Sequence, residues 1–205
     1  SIGTNHADLF ASIGAMAGQV DRGRTFNLKN LPIWFFNSMD DRTTPPESCI
    51  EAAAELEALS KKHGPYEFVF KKYDNIGHGF PKEGITPIFT WMLAKKRNPL
   101  PKQVLWRTRR SYKRHFYWLR RPTLGPCDID FQRDGNKFTV TGPTQECWIL
   151  LNEKMVNFDQ PVVVVNERGD ERFNGKPAYS SAATLESIAV KNDPEMWFSA
   201  WIQLK

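Results

Sequence analysis

No stretch of this 205-residue chain approaches the roughly 20 consecutive apolar residues that span a bilayer. The first ten residues, SIGTNHADLF, lack the basic start and apolar run of a signal peptide. They also lack an initiating methionine, which reads as a processed or shortened polypeptide. Metal-ligand spacings such as CxxC and HExxH are missing, as is a glycine-rich phosphate loop, so neither a metal nor a cofactor is expected. Cysteine is scarce. Cys49, Cys127 and Cys147 are an odd number without the spacing of a disulfide framework. Three buried thiols are expected, with a single Cys127–Cys147 bridge left open.

The chain is 40% hydrophobic and 25% charged, the balance of a globular protein, and its length fits one large domain or two small ones. Much of its net charge of +5 is concentrated in WRTRRSYKRHFYWLRR, residues 106–121. There Trp106, Tyr112, Phe116, Tyr117 and Trp118 alternate with seven basic side chains. Basic groups can neutralise phosphates and aromatics can stack on bases. The same pattern also reads as a β-hairpin around residues 111–113, with rings on a core face and charge on a wet face. The hairpin is the stronger reading, so a nucleic-acid partner is not expected.

The chain changes character near residue 102. Before it, strand-like runs at 9–18, 31–38 and 66–73 alternate with helical patterns at 45–64 and 85–96. On the first helix, Ile50, Ala53, Ala54 and Leu56 fall near helical spacing, and Gly64 is a natural stop. Pro87 fits only in the first turn of the second. This alternation predicts a parallel sheet covered by helices in residues 1–102. After KKRNPLPK (95–102) the segments shorten and alternate with period two. Seven strands, with turns at 133–136, 167–171 and 173–176 and one helix at 181–191, predict an all-β sandwich of immunoglobulin-like type over 103–205.

The chemistry-bearing residues fall at two strand ends. NSMDDRTTPP (37–46) follows the second strand, and NIGHGF (75–80) follows the third. Both ends lie at the carboxyl edge of a parallel sheet, where such folds place their sites. An Asp and a His there can meet, the carboxylate fixing the imidazole tautomer and stabilising the imidazolium. The two stretches, with the intervening helix, resemble the C-terminal half of an α/β-hydrolase, closest to the prolyl-oligopeptidase-like and esterase members. In that pattern a proline follows the acid by four residues, which selects Asp41 over Asp40 through Pro45. Gly77-His78 matches the turn of the catalytic histidine, and HADLFASIGAMAG (6–18) resembles a strand-bearing stretch of the family. Ala7 stands for the usual proline, and Asn37-Ser38 for the usual His-Gly. Asp40 is a candidate for starting the helix.

The resemblance implies catalytic Asp41 and His78, an ester or peptide substrate, and a secreted or envelope location. It also implies a nucleophilic serine in a G-x-S-x-G elbow upstream of the HADLF stretch. Ser1-Ile2-Gly3 mimics the tail of such an elbow. A helix of about ten residues should then follow, and only four residues separate Gly3 from Asp8. The serine is therefore expected outside this chain. The strand at 9–18 then forms a bare sheet edge, with Ile13 and Met16 toward solvent, expected to be covered by a second copy, by a separate N-terminal half or by the C-terminal sandwich folding back. The rival expectation is a non-catalytic module on a remnant fold, binding a protein, a polysaccharide or a polyanion.

Overall fold

The computed structural model describes residues 2–109, 113–143 and 147–204. The chain divides into two compact units, Ser1–Asn98 and Pro99–Lys205. The division precedes residue 102 because the proline-rich segment is bonded into the second unit. The Pro101 carbonyl accepts the Trp118 indole N–H at 2.9 Å, and the Leu100 carbonyl accepts Arg133 at 2.8 Å.

The first unit begins with a helical turn, α1 (Ile2–Asn5), and a 3-10 turn at Ala7–Leu9. Strand β1 is confined to Ile13–Met16, shorter than the run at 9–18. The 3-10 turn takes its front end, and Ala17 turns left-handed at φ 46° behind it. A nine-residue 3-10 stretch, Arg22–Asn30, has no counterpart among the sequence expectations. It is bonded inward, with the Asn27 amide donating to the Thr4 carbonyl at 2.9 Å. Then come β2 (Ile33–Ser38), α2 (Glu47–His63), β3 (Phe68–Tyr73) and α3 (Thr86–Leu93). The strands pair in parallel in the order β1-β2-β3. Pro87 lies in the first turn of α3, as its missing N–H requires.

Helix α2 buries Cys49, Ala52, Ala53 and Leu56, a stripe at i, i+3, i+4 and i+7. Ile50 and Ala54 are exposed instead, so the expected face is turned part-way round. Small residues on the inner face let the helix approach the 3-10 stretch closely, and Tyr66 reaches the Phe26 carbonyl there at 3.1 Å. The helix stops at Gly64, with φ 80° and ψ 173°. Lys29 donates to the carbonyl of His63, the last residue of the helix, at 2.7 Å, and to that of Pro65 just beyond it at 3.2 Å.

Ile13 and Met16 are half-buried rather than bare. A Cβ on Gly3 of α1 would stand 2.4 Å from the Ile13 side chain, so α1 lies directly against that residue. Gly14 lies under Met92 and Ile88 of α3, whose side chains would have to shift to admit a Cβ there. The outer edge of β1 has no strand partner among the described residues.

The described residues of the second unit form nine strands and one α-helix: β4 (Gln103–Thr108), β5 (His115–Phe116), β6 (Leu119–Arg120), β7 (Cys127–Asp134), β8 (Lys137–Thr141), β9 (Trp148–Leu151), β10 (Val162–Asn166), β11 (Glu171–Gly175), α4 (Ser181–Lys191) and β12 (Ala200–Gln203). They form a five-stranded sheet, β11-β10-β8-β7-β4, and a four-stranded sheet, β12-β9-β6-β5. Strand β11 occupies residues read as two turns. The expected hairpin between β4 and β5 does not form. Strand β4 pairs with β7, whereas β5 pairs with β6 across a tight turn at Tyr117, whose φ is 51°. Burial decides this arrangement. Trp106, Phe116, Tyr117 and Trp118 are all core residues, so their rings are not available to stack on bases. Tyr112 lies outside the described residues. The Trp118 ring meets Phe131 and Phe138 of the five-stranded sheet edge-on, at 5.9 and 5.6 Å. Cys49, Cys127 and Cys147 are free buried thiols.

Candidate acid–base site

Parallel pairing sets the geometry. Strands β2 and β3 run in register from Ile33 opposite Phe68 to Ser38 opposite Tyr73. Beyond that pair both chains leave the sheet at the same edge, one strand spacing apart. Asp41 follows the end of β2 by three residues, and His78 follows the end of β3 by five. Asp41 Oδ2 and His78 Nδ1 are 2.9 Å apart.

The Asp41 carboxylate is fully enclosed and fully used. Its Oδ1 accepts the N–H groups of Thr43 at 2.9 Å and Thr44 at 2.8 Å, which starts the turn into α2. Oδ2 is left for the histidine. The two aspartates therefore do not divide as expected, because Asp41 both turns the chain and meets His78. Burial pushes its carboxyl up. The bonds from Thr44, His78 and Thr43, with the His78 charge, outweigh burial and hold it below the ordinary carboxylate value. An acceptor-only carboxylate at Oδ2 places the imidazole proton on Nδ1. Nε2 then carries the lone pair, and it has no hydrogen-bond partner among the described residues. The ring is 46% exposed, so this nitrogen can be reached.

Sequence reasoning named Asn37, Ser38 and Asp40 but missed their supporting roles. Asn37, completely buried, donates to the Thr44 carbonyl at 2.8 Å and accepts the Ser38 N–H at 2.8 Å. It ties the Asp41 turn to the strand that precedes it. Ser38 donates to Asp40, and Asp40 in turn accepts the Gly77 N–H at 3.2 Å. A polar pair at the end of an otherwise apolar buried strand was the available signal, since a buried polar group must find a partner. After His78, Phe80 packs on Phe36, and Tyr73 donates to Glu83 at 2.7 Å. Burial, then the bond and charge of Glu83, push the Tyr73 phenol up to about 12, so it remains a donor at every working pH.

A pair of this kind can take a proton from a hydroxyl, a thiol or water. Ser1 lies outside the described residues. Among the described residues, no hydroxyl or thiol hydrogen-bonds the His78 ring. Ser12 is turned to the Met92 carbonyl, and Cys49 to the Gly18 carbonyl. No group of three or more metal-ligating side chains occurs among the described residues.

No protein-family model matches the sequence, and no curated protein does. Among solved structures, a thermostable esterase is similar over 46% of this chain and 27% of its own, with 22% identity and a TM-score of 0.38. The chain thus spans about a quarter of that esterase's length.

Proposed function

We propose that residues 1–98 are the acid–base half of an α/β-hydrolase of esterase or peptidase type, hydrolysing an ester or amide. The observation that carries this reading is the 2.9 Å contact between a buried, ionised Asp41 and a reachable His78 at the carboxyl edge of a parallel sheet. A serine hydroxyl attacks the carbonyl carbon of the substrate while His78 Nε2 takes its proton. Asp41 stabilises the imidazolium that forms. The imidazolium then protonates the leaving group as the carbonyl–leaving-group bond breaks, and water repeats the sequence on the acyl-enzyme. The serine and the oxyanion donors come from polypeptide outside the described residues. The unpaired edge of β1 supports this, since it accepts a further strand. Beside it lies a cavity of about 360 Å³ lined by Phe10, Ile13, Ala15, Val20 and Ile33. The second unit, read as an immunoglobulin-like β-sandwich, is an appended module; a secreted or envelope location rests on the family resemblance alone.

The test is the coding sequence that precedes residue 1. An in-frame G-x-S-x-G, whose extended polypeptide hydrolyses an activated ester and loses that activity in His78→Ala, supports the reading. A start codon directly before residue 1, or an extended polypeptide indifferent to His78→Ala, overturns it in favour of a binding module.

A further inference from the structure

His78 is poorly held by its own ring. Its side chain is nearly half exposed, and its one hydrogen bond among the described residues is to Asp41. The loop that carries it contains two left-handed residues, Asn75 at φ 60° and Gly77 at φ 53°. Asparagine is among the few side chains that tolerate this region. Gly79 is closed to any side chain, because a Cβ there would stand 2.7 Å from the Ile76 carbonyl. A loop of this shape is not set by strand pairing, so something else must fix it.

Three successive residues of the loop are tied to the end of β2. The Ile76 N–H reaches Ser38 Oγ at 3.5 Å, the Gly77 N–H reaches Asp40 Oδ1 at 3.2 Å, and the His78 ring reaches Asp41 at 2.9 Å. Ser38 and Asp40 are themselves joined, hydroxyl to carboxylate. We propose that Ser38 and Asp40 form a clamp that positions His78, holding the loop backbone so that the imidazole meets Asp41. Asp40 is a positioning residue and not a catalytic one. The inference rests on the acid–base reading of Asp41 and His78, and it assigns a role to the neighbouring acid.

The chemistry of Asp40 suits this role. The Ser38 hydroxyl, chiefly, holds its carboxyl below the ordinary value; burial opposes this and the Gly77 N–H adds to it. An ionised carboxylate accepts from both donors at once and offers no competing proton. Downstream, the Tyr73–Glu83 bond fixes the far side of the loop, so both flanks of His78 are anchored to β2 and β3. A displacement of about 1 Å would open the Asp41 contact, and misplacements of that size cost on the order of a hundredfold in rate.

The experiment is NMR of the full chain with labelled histidine. In the parent, His78 is the Nδ1–H tautomer with a slowly exchanging ring proton, and the Gly77 amide is protected. In Asp40→Ala, Gly77 protection falls about tenfold or more, the order expected for one lost hydrogen bond. The Nδ1–H signal is also lost as the ring mixes tautomers. The Thr43 and Thr44 amides, bonded to Asp41, keep their protection, which separates a freed loop from an unfolded unit. Asp40→Asn, which keeps the shape but not the charge, loses part of both signals and carries the test if the alanine variant does not fold. A folded Asp40 variant with parental Gly77 protection and tautomer overturns the clamp, while an Nδ1–H signal abolished by Asp41→Asn leaves the acid–base reading standing. A parent that lacks the signal, and is unchanged by Asp41→Asn, removes both.

Discussion

Ser38 and Tyr73 are the last register partners of β2 and β3, and the Met39 N–H extends the pairing with a 2.8 Å bond to the Tyr73 carbonyl. Everything at the site follows from that shared end point. Two chains released side by side need only a few residues each to bring a carboxylate and an imidazole into contact. The buried Asn37 and the Ser38–Asp40 pair then fix the two loops. Aromatic packing of Phe36 against Tyr73 and Phe80 forms the apolar floor beneath them.

Asp41→Asn is the sharpest single change. The amide can still accept the Thr43 and Thr44 N–H groups through its oxygen. Its NH2 then faces His78 Nδ1, which must give up its proton and become an acceptor. If the proposed serine is supplied by an extended polypeptide, the expected result is a fall in its kcat of about 10⁴, the size seen when a triad base is held in the wrong tautomer. Asp41→Ala should lose as much activity and also loosen the start of α2. A loss below about tenfold for Asp41→Asn would show that the carboxylate does not orient the base.

The acid limb of stability is set partly by Asp41. Its folded carboxyl lies below the ordinary value near 3.8, so the unfolded chain binds the proton more readily. Its stabilisation is therefore complete above that ordinary value and is lost as the pH falls below it toward the folded value. A carbonyl-carbon titration of Asp41 should give a midpoint under 3.8. The urea midpoint of Asp41→Asn should fall less steeply than the parent's over the same acid range. Parallel curves would contradict the assignment.

The alternation of strands and helices made the first sheet readable, because a buried parallel strand is a continuous apolar run and β2 has one. That an aspartate and a histidine would meet at this edge was readable for the same reason, since both stretches follow strand ends; the choice of Asp41 over Asp40 rested on the family resemblance alone, through Pro45. Strand β1 is shorter than the apolar run because Leu9 and Phe10 are apolar without belonging to the sheet: Leu9 closes the 3-10 turn that buries Asp8, and Phe10 follows it as the cap. The inner face of α2 was misjudged because Ile50 is larger than Ala52, and close approach favours the smaller residue. Strand β11, with two charged residues at its start, carries no apolar alternation at all. The hairpin at 106–121 failed on partner choice. Periodicity tells which face is buried, but not which strand lies alongside.

Ester hydrolysis by residues 1–205 alone should not depend on His78. His78 can accept a proton, yet no described nucleophile is bonded to it. The rate of activated-ester hydrolysis by the parent should match that of His78→Ala within about twofold, the level of a surface imidazole. A large rate that disappears in the variant would reveal a nucleophile reaching Nε2 by movement of the chain.

His115 gives the second unit a different pH dependence. It is buried on β5, with Nε2 3.1 Å from the Glu186 carboxylate, which Arg120 also holds at 2.6 Å. Burial, then the Lys191 charge, push its pKa down to about 4; Glu186 opposes this and Arg120 adds to it. The folded ring is neutral, while the unfolded one titrates near 6.5. The contribution is thus complete above pH 6.5 and is lost as the pH falls toward 4. In urea unfolding followed across that window, His115→Gln should decline less than the parent. An equal decline would mean that the ring is not held neutral.

Trp118 is the residue on which the second unit should depend most. It is completely buried, its ring meets Phe131 and Phe138, and its N–H satisfies the Pro101 carbonyl. Trp118→Ala removes the ring contacts, opens a cavity and leaves a buried carbonyl without its donor. Large-to-small changes of this kind cost about 3–5 kcal/mol. A domain has only about 5–15 kcal/mol in total, so the change should remove a large share of the unit's stability. Trp118→Phe keeps a ring but loses the N–H, and should cost less, with the lost hydrogen bond contributing about 1 kcal/mol. Amide exchange resolves the two units, so protection in β7 and β8 should fall while that in β2 and β3 is retained. A Trp118→Ala chain that keeps parental protection in β7 would show that the core closes without this side chain.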